Sequence, residues 1–124
     1  MIIMNKKIVE QLKKIAENKG YEEIILNISE KTPMTIEGIK GHFVPEVLCY
    51  IKGKIKALVT FIKSLDDIEE FYKLTLFMDY ANKNNLYLYI VYDKRKFSQE
   101  EFIQKLTERE IKILKNTKIM EMSP

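Results

Sequence analysis

The sequence predicts an α/β domain of three layers, a mixed central sheet with helices on both faces. Three observations predict it. Two β-rich runs flank the dipeptide Lys52-Gly53, a later run (LYLYIVY) is apolar on both faces, and helical periodicity appears before, between and after them. At 124 residues, 46% of them apolar, the chain has the size of one domain, taken as 1–124, with a core that requires no disulfide or metal.

The elements follow in order. Asn5 is placed to cap a first helix reaching about Lys19, with Ile8, Leu12 and Ile15 on one stripe and Gly20 ending it. Residues 22–28 read as a short strand. Periodicity is then lost over 29–44, where Pro33, Gly38 and Gly41 indicate a loop or loose hairpin. Residues 46–51 and 54–62 are the two β runs. The second alternates Ile55, Ala57, Val59 and Phe61 with Lys56, Leu58, Thr60 and Ile62, as expected of a strand covered on both sides toward its end. Ser64 with Asp67 suggests a capping box for a helix reaching about Asn84, with Ile68, Phe71, Leu74, Met78 and Ala81 inward. Residues 86–92 form the most apolar strand. Ser98 with Glu101 caps a last helix to about Leu114, and 117–122 make a terminal strand. The expected order is α-β-β-β-α-β-α-β.

Composition excludes several classes. Cys49 is the only cysteine and His42 the only histidine, so neither an intrachain disulfide nor a Cys/His zinc site is possible. The opening MIIMNKKIVEQ lacks the long apolar core of a signal peptide, and no stretch reaches the roughly 20 apolar residues of a membrane span. The expected compartment is the reducing cytoplasm, with no membrane partner. A net charge of +3, carried almost wholly by lysine, favours a polyanion only weakly. No Gly-rich phosphate loop, G-x-S-x-G elbow or Cys/His nucleophile pair is present.

The segment GHFVPEVLCYIKGKIKALVTFIKSLDD, residues 41–67, carries the one pattern with chemical content. Pro45-Glu46 opens the first hairpin strand, Gly53-Lys54 makes its turn, and Ser64-Leu65-Asp66-Asp67 starts the next helix. This arrangement resembles the restriction-endonuclease-like, or PD-(D/E)xK, nuclease superfamily, whose core runs helix, strand, hairpin, helix, strand. The resemblance implies a Pro-acid pair on one strand and an acid-x-Lys triplet on the next. There, carboxylates hold Mg²⁺ against the scissile phosphate and the lysine positions the attacking water. Glu46 fits the first acid. The acid-x-Lys positions fall on Leu58 or Val59 and Thr60 or Phe61, and no carboxylate lies between Val47 and Leu65. The chain therefore resembles a degenerate member with Glu46 as the catalytic remnant.

Other residues bear on this reading. Glu69, Glu70 and Lys73 in the second helix, or Glu10 and Glu17 in the first, would complete a site with Glu46 if ligands had migrated; acids in the first helical turn also suit the helix dipole. Pro45 and Glu46 are equally the start of an ordinary strand, with Glu46 in water. Lys52, Lys54, Lys56 and Lys63 form a local basic cluster and are the expected phosphate contacts. Tyr87, Tyr89 and Tyr92 suit base stacking, but suit strand packing better. His42 reads as incidental and Cys49 as a buried thiol.

The expected function is a catalytically inactive restriction-endonuclease-like domain, without cofactor, retained to bind DNA, RNA or a protein partner. Two rivals stand beside it: an active Mg²⁺-dependent nuclease with migrated residues, and an unrelated small α/β interaction module.

Overall fold

A computed structural model of the chain describes residues 6–26, 36–38 and 41–123. Asn5, the expected first cap, lies outside them. The elements are α1 (Lys6–Asn18), β1 (Glu23–Leu26), β2 (Ile36–Gly38), β3 (Gly41–Phe43), β4 (Val47–Ile51), β5 (Lys54–Ile62), α2 (Ile68–Lys83), β6 (Tyr87–Asp93), α3 (Gln99–Glu108) and β7 (Thr117–Met122). Five strands form one mixed sheet in the order β1-β4-β5-β6-β7. β4 runs antiparallel to both β1 and β5, while β5, β6 and β7 are mutually parallel. The small β2–β3 pair, within the stretch expected to be a loop or loose hairpin, makes a separate antiparallel ladder beside α2.

The sheet is covered on both faces, as the doubly apolar strands require. On one face Val9, Leu12 and Ala16 of α1 meet Val47, Cys49, Ala57, Val59, Phe61 and Val91. On the other, Phe71, Leu74, Phe77 and Met78 of α2, with Phe102 and Leu106 of α3, meet Leu48, Leu58, Ile62, Leu88, Ile90 and Tyr92. Each fully buried side chain of this size contributes about 1.5–3 kcal/mol. The architecture is α/β with helices on both faces. Among the described residues no helix is long and apolar enough to cross a membrane.

Local chemistry explains the boundaries. Lys52 and Gly53 both have positive φ (52° and 73°), the pairing a two-residue hairpin turn of type I′ demands. The register passes from Cys49↔Ala57 to Tyr50↔Ile55, leaving Lys56 as an extra residue, a β-bulge. The bulge corrects the expected alternation. Ile55 packs with the α2 face, opposite Ala57, because one residue is consumed between them.

Four further expectations are corrected. The α1 stripe is centred on Val9, Leu12 and Ala16, with Ile8 and Ile15 only flanking it. The α2 cap is Asp67, whose side chain accepts from the Glu69 N–H (3.0 Å), while Ser64 accepts from the Asp66 N–H (3.1 Å). Ile68 then stands in the first turn on the outer side and is 48% exposed. α3 has its Ser98–Glu101 capping box but stops at Glu108, not Leu114. Glu110 adopts positive φ (58°), and the Ile111 N–H closes back on the Leu106 carbonyl (2.8 Å), turning the chain out of the helix.

Candidate functional site

The end of the β4–β5 ladder sets up the site. Its last pair is Val47↔Val59, so the Phe61 peptide on β5 has no backbone partner on the β4 side. Buried peptide groups must be satisfied, and two side chains do it. The Phe61 N–H donates to Glu46 Oε2 (2.8 Å), and its carbonyl accepts from Lys73 Nζ (2.9 Å). Pro45 precedes Glu46, removing an N–H donor and favouring the extended entry.

Lys73 also reaches Glu46 Oε1 at 3.4 Å and Glu70 Oε2 at 2.7 Å. The Glu70 contact is an ion pair, short in distance but poorly directed as a hydrogen bond. The three residues are 4% (Glu46), 8% (Glu70) and 7% (Lys73) exposed. An ammonium has three donors, and here it has three oxygens around it. Both Glu46 oxygens are engaged as well. Burial opposes the lysine's charge, but the carboxylates of Glu46 and Glu70 outweigh it and hold the proton more tightly than in an ordinary lysine.

Of the residues weighed as migrated ligands, the structure brings Glu70 and Lys73 to Glu46 and leaves the others away. Glu69, one position along α2, is exposed. Glu10 and Glu17 are exposed on α1, which packs on the opposite face. Glu46 is not the solvent-facing residue of an ordinary strand start; it is buried against α2. Glu70 and Lys73 stand at i and i+3 on the buried side of α2, with Leu74, Phe77 and Ala81.

The superfamily's metal does not fit these residues. Leu58, Val59 and Phe61 are core residues and Thr60 is a hydroxyl, so the strand supplies no ligand. The two available carboxylates share one ammonium, too few free oxygens for a hard cation that takes six or more. Among the described residues no group of His, Cys, Asp or Glu has the number and placement of a metal site. The Thr60 hydroxyl, on the β5 face shared by Leu58 and Ile62, is buried and has no hydrogen-bond partner.

The lysine cluster is divided. Lys52, Lys54 and Lys56 are exposed around the hairpin turn and bulge, whereas Lys63 follows the far end of β5. Nine strand residues separate the two ends, about 30 Å. Only Lys63 shares the Glu46 end. There, the β5–β6 ladder ends at Ile62↔Tyr92, and Asp93, the last residue of β6, holds Arg95 through paired bonds of 3.1 and 3.0 Å, with exposed Lys94 and Lys96 adjoining.

Tyr92 is buried against Phe97 and Phe102 (centroids 5.5 and 6.1 Å), and Tyr89 is buried on the other face; Tyr87 alone of the three is exposed. Cys49 is buried, which pushes its thiol up to about 12. His42 pairs with Glu37 in the β2–β3 ladder, and its side chain lies outside the described residues. The chain matches no family model, and no curated protein or solved structure is significantly similar to it.

Proposed function

We propose that this chain is a restriction-endonuclease-like domain that does not cleave nucleic acid and is retained to bind it. The observation that carries the reading is the Lys73 ammonium lying between Glu46 and Glu70, where a cation-dependent nuclease would need open carboxylate oxygens. A strand order that follows the chain, with the hairpin before the crossover helix, supports the fold assignment. The Glu46–Lys73 pair has a backbone-capping task at Phe61, which accounts for an acid and a lysine here without catalysis. Exposed lysines at both ends of β5 supply the phosphate contacts, Lys52, Lys54 and Lys56 at one end and Lys63 at the other.

The rival with a specific observation behind it is the active nuclease, because Glu46, Glu70 and Lys73 together are an acid, an acid and a lysine. One experiment separates the two. The purified chain is incubated with single-stranded, duplex and branched DNA in Mg²⁺ and in Mn²⁺. The proposal expects intact DNA under every condition, with salt-sensitive binding in a gel-shift assay. Cleavage that disappears in Glu46→Ala would overturn it in favour of the migrated site.

A further inference from the structure

The sheet face covered by α1 carries a second surface, far from Glu46. α1 packs over β1 and β4, while Tyr87, at the first position of β6, remains 48% exposed. Its ring is not loose. It stacks on Tyr89 with centroids 6.3 Å apart and planes inclined by 22°. Tyr89 is fixed in turn. Its hydroxyl shares a hydrogen bond with the Tyr21 hydroxyl (3.1 Å), the two rings meet edge-on, and Lys19 Nζ lies 5.6 Å from the Tyr89 centroid. Across the parallel ladder Tyr89 pairs with Lys118 of β7, whose exposed side chain shares its face. Exposed Lys115 stands in the turn before β7, next to Asn116, whose carbonyl accepts from the Leu88 N–H (3.0 Å).

An aromatic ring held by a second ring and half exposed, with exposed lysines on the neighbouring elements, is complementary to a nucleobase attached to a phosphate chain. Prior ordering of the ring lowers the side-chain entropy lost on binding. In a duplex, base faces are stacked inside and unreachable, so the ring selects strands whose bases are free. We propose that Tyr87, with the exposed Lys19 and Lys118 beside its stacking partner Tyr89 and Lys115 in the turn before β7, is a base-stacking surface for single-stranded nucleic acid. This rests on the nucleic-acid reading above and names the form of ligand and where it lies.

The test is fluorescence anisotropy at low salt with labelled oligothymidylate, oligouridylate and a short mixed-sequence duplex. Wild type, Tyr87→Ala, Tyr87→Phe and Lys118→Gln are compared, and a thermal melt of each verifies folding. The proposal expects single strands to bind about tenfold more tightly than the duplex. It expects Tyr87→Ala to lose about tenfold, Tyr87→Phe to retain nearly full affinity, and Lys118→Gln to weaken binding and lower its salt dependence. The DNA and RNA strands present the same kind of stacking face on two backbones, and Tyr87→Ala is expected to weaken both. Equal affinity for duplex, or wild-type affinity in Tyr87→Ala, overturns this inference and leaves the broader reading standing. No binding to any of the three overturns both.

Discussion

Glu46 and Lys73 are 27 residues apart in the chain and hold both backbone polar groups of one residue: the carboxylate takes the Phe61 N–H and the ammonium takes the Phe61 carbonyl. The pair extends the β4–β5 ladder by one rung made of side chains. Removing the cation alone leaves two buried carboxylates and an unpaired carbonyl. Lys73→Met is therefore expected to cost about 3–5 kcal/mol in urea unfolding at neutral pH. Adding Glu46→Gln and Glu70→Gln to it should restore most of the loss. A loss below about 1 kcal/mol in the single variant would show that the triad is not a supporting element.

Divalent cations give a second measurement on the same groups. Wild type should show no rise in melting temperature with Mn²⁺, because the Lys73 ammonium already occupies the place between the two carboxylates. Lys73→Gln, which removes the charge, should be stabilised by millimolar Mn²⁺ through preferential binding to the folded state. An equal Mn²⁺ response in both proteins would contradict the idea that the lysine fills the cation's place.

Stability should fall on the alkaline side in steps set by groups that hold their protons more tightly when folded. Burial raises Cys49 from 9.0 to about 12. Burial, assisted by the Glu121 carboxylate, raises Tyr92 above 10.0, and Lys73 is raised above 10.5 despite its burial. A raised folded pKa contributes in full below the unfolded value and is lost as pH rises through the folded one. The decline should begin near pH 9 and steepen beyond pH 10, and Cys49→Ala should delay its onset. Asp93 works in the opposite sense. Hydrogen bonds from Arg95 hold it below 3.8, so its contribution is present above that value and lost as pH falls through the folded one. Asp93→Asn should flatten the acid limb of a melting-temperature profile.

The Thr60 hydroxyl is buried without a partner. Thr60→Val keeps the shape and removes the unsatisfied group, so it should stabilise by about 1 kcal/mol. A destabilisation of similar size would reveal a bound water or ligand on that hydroxyl.

At Gly53 the backbone has φ of 73° and nothing within 4 Å of where a Cβ would sit. The cost of Gly53→Ala is then conformational alone, about 1 kcal/mol. Lys52, also at positive φ, should be improved by a few tenths of a kcal/mol on replacement with Asn, which tolerates that region better. Thermal melts of the two variants should shift in opposite directions.

These elements also mark where sequence reasoning succeeds. β5 and β7 were legible to the residue, because a glycine turn bounds one, a turn precedes the other, and both carry β-rich patterns. The Ser98–Glu101 cap was legible because its chemistry is local. The bulge at Lys56 was not, since it depends on how two strands fit and leaves no mark in either alone. The site was half legible. Glu46, Glu70 and Lys73 were all on view, but choosing them over Glu69 required the angular phase of α2, fixed only when Phe71, Leu74 and Phe77 meet the sheet. The burial of Glu46 depends on where the ladder stops, and no residue type encodes that.

The five-strand order β1-β4-β5-β6-β7 has a consequence for how the protein is made. Each strand of the main sheet joins beside the one most recently synthesised, so the sheet grows from one edge to the other in the direction of translation. No strand waits for a later one to be inserted between it and its neighbour. The β4–β5 hairpin, closed by a two-residue turn, has the shortest loop to close, and each parallel strand is added after its helix. Until β7 arrives, β6 is an open edge bearing Leu88, Ile90 and Tyr92. A chain released before residue 117 should therefore aggregate through that edge, whereas the complete sheet hides it behind the six residues of β7.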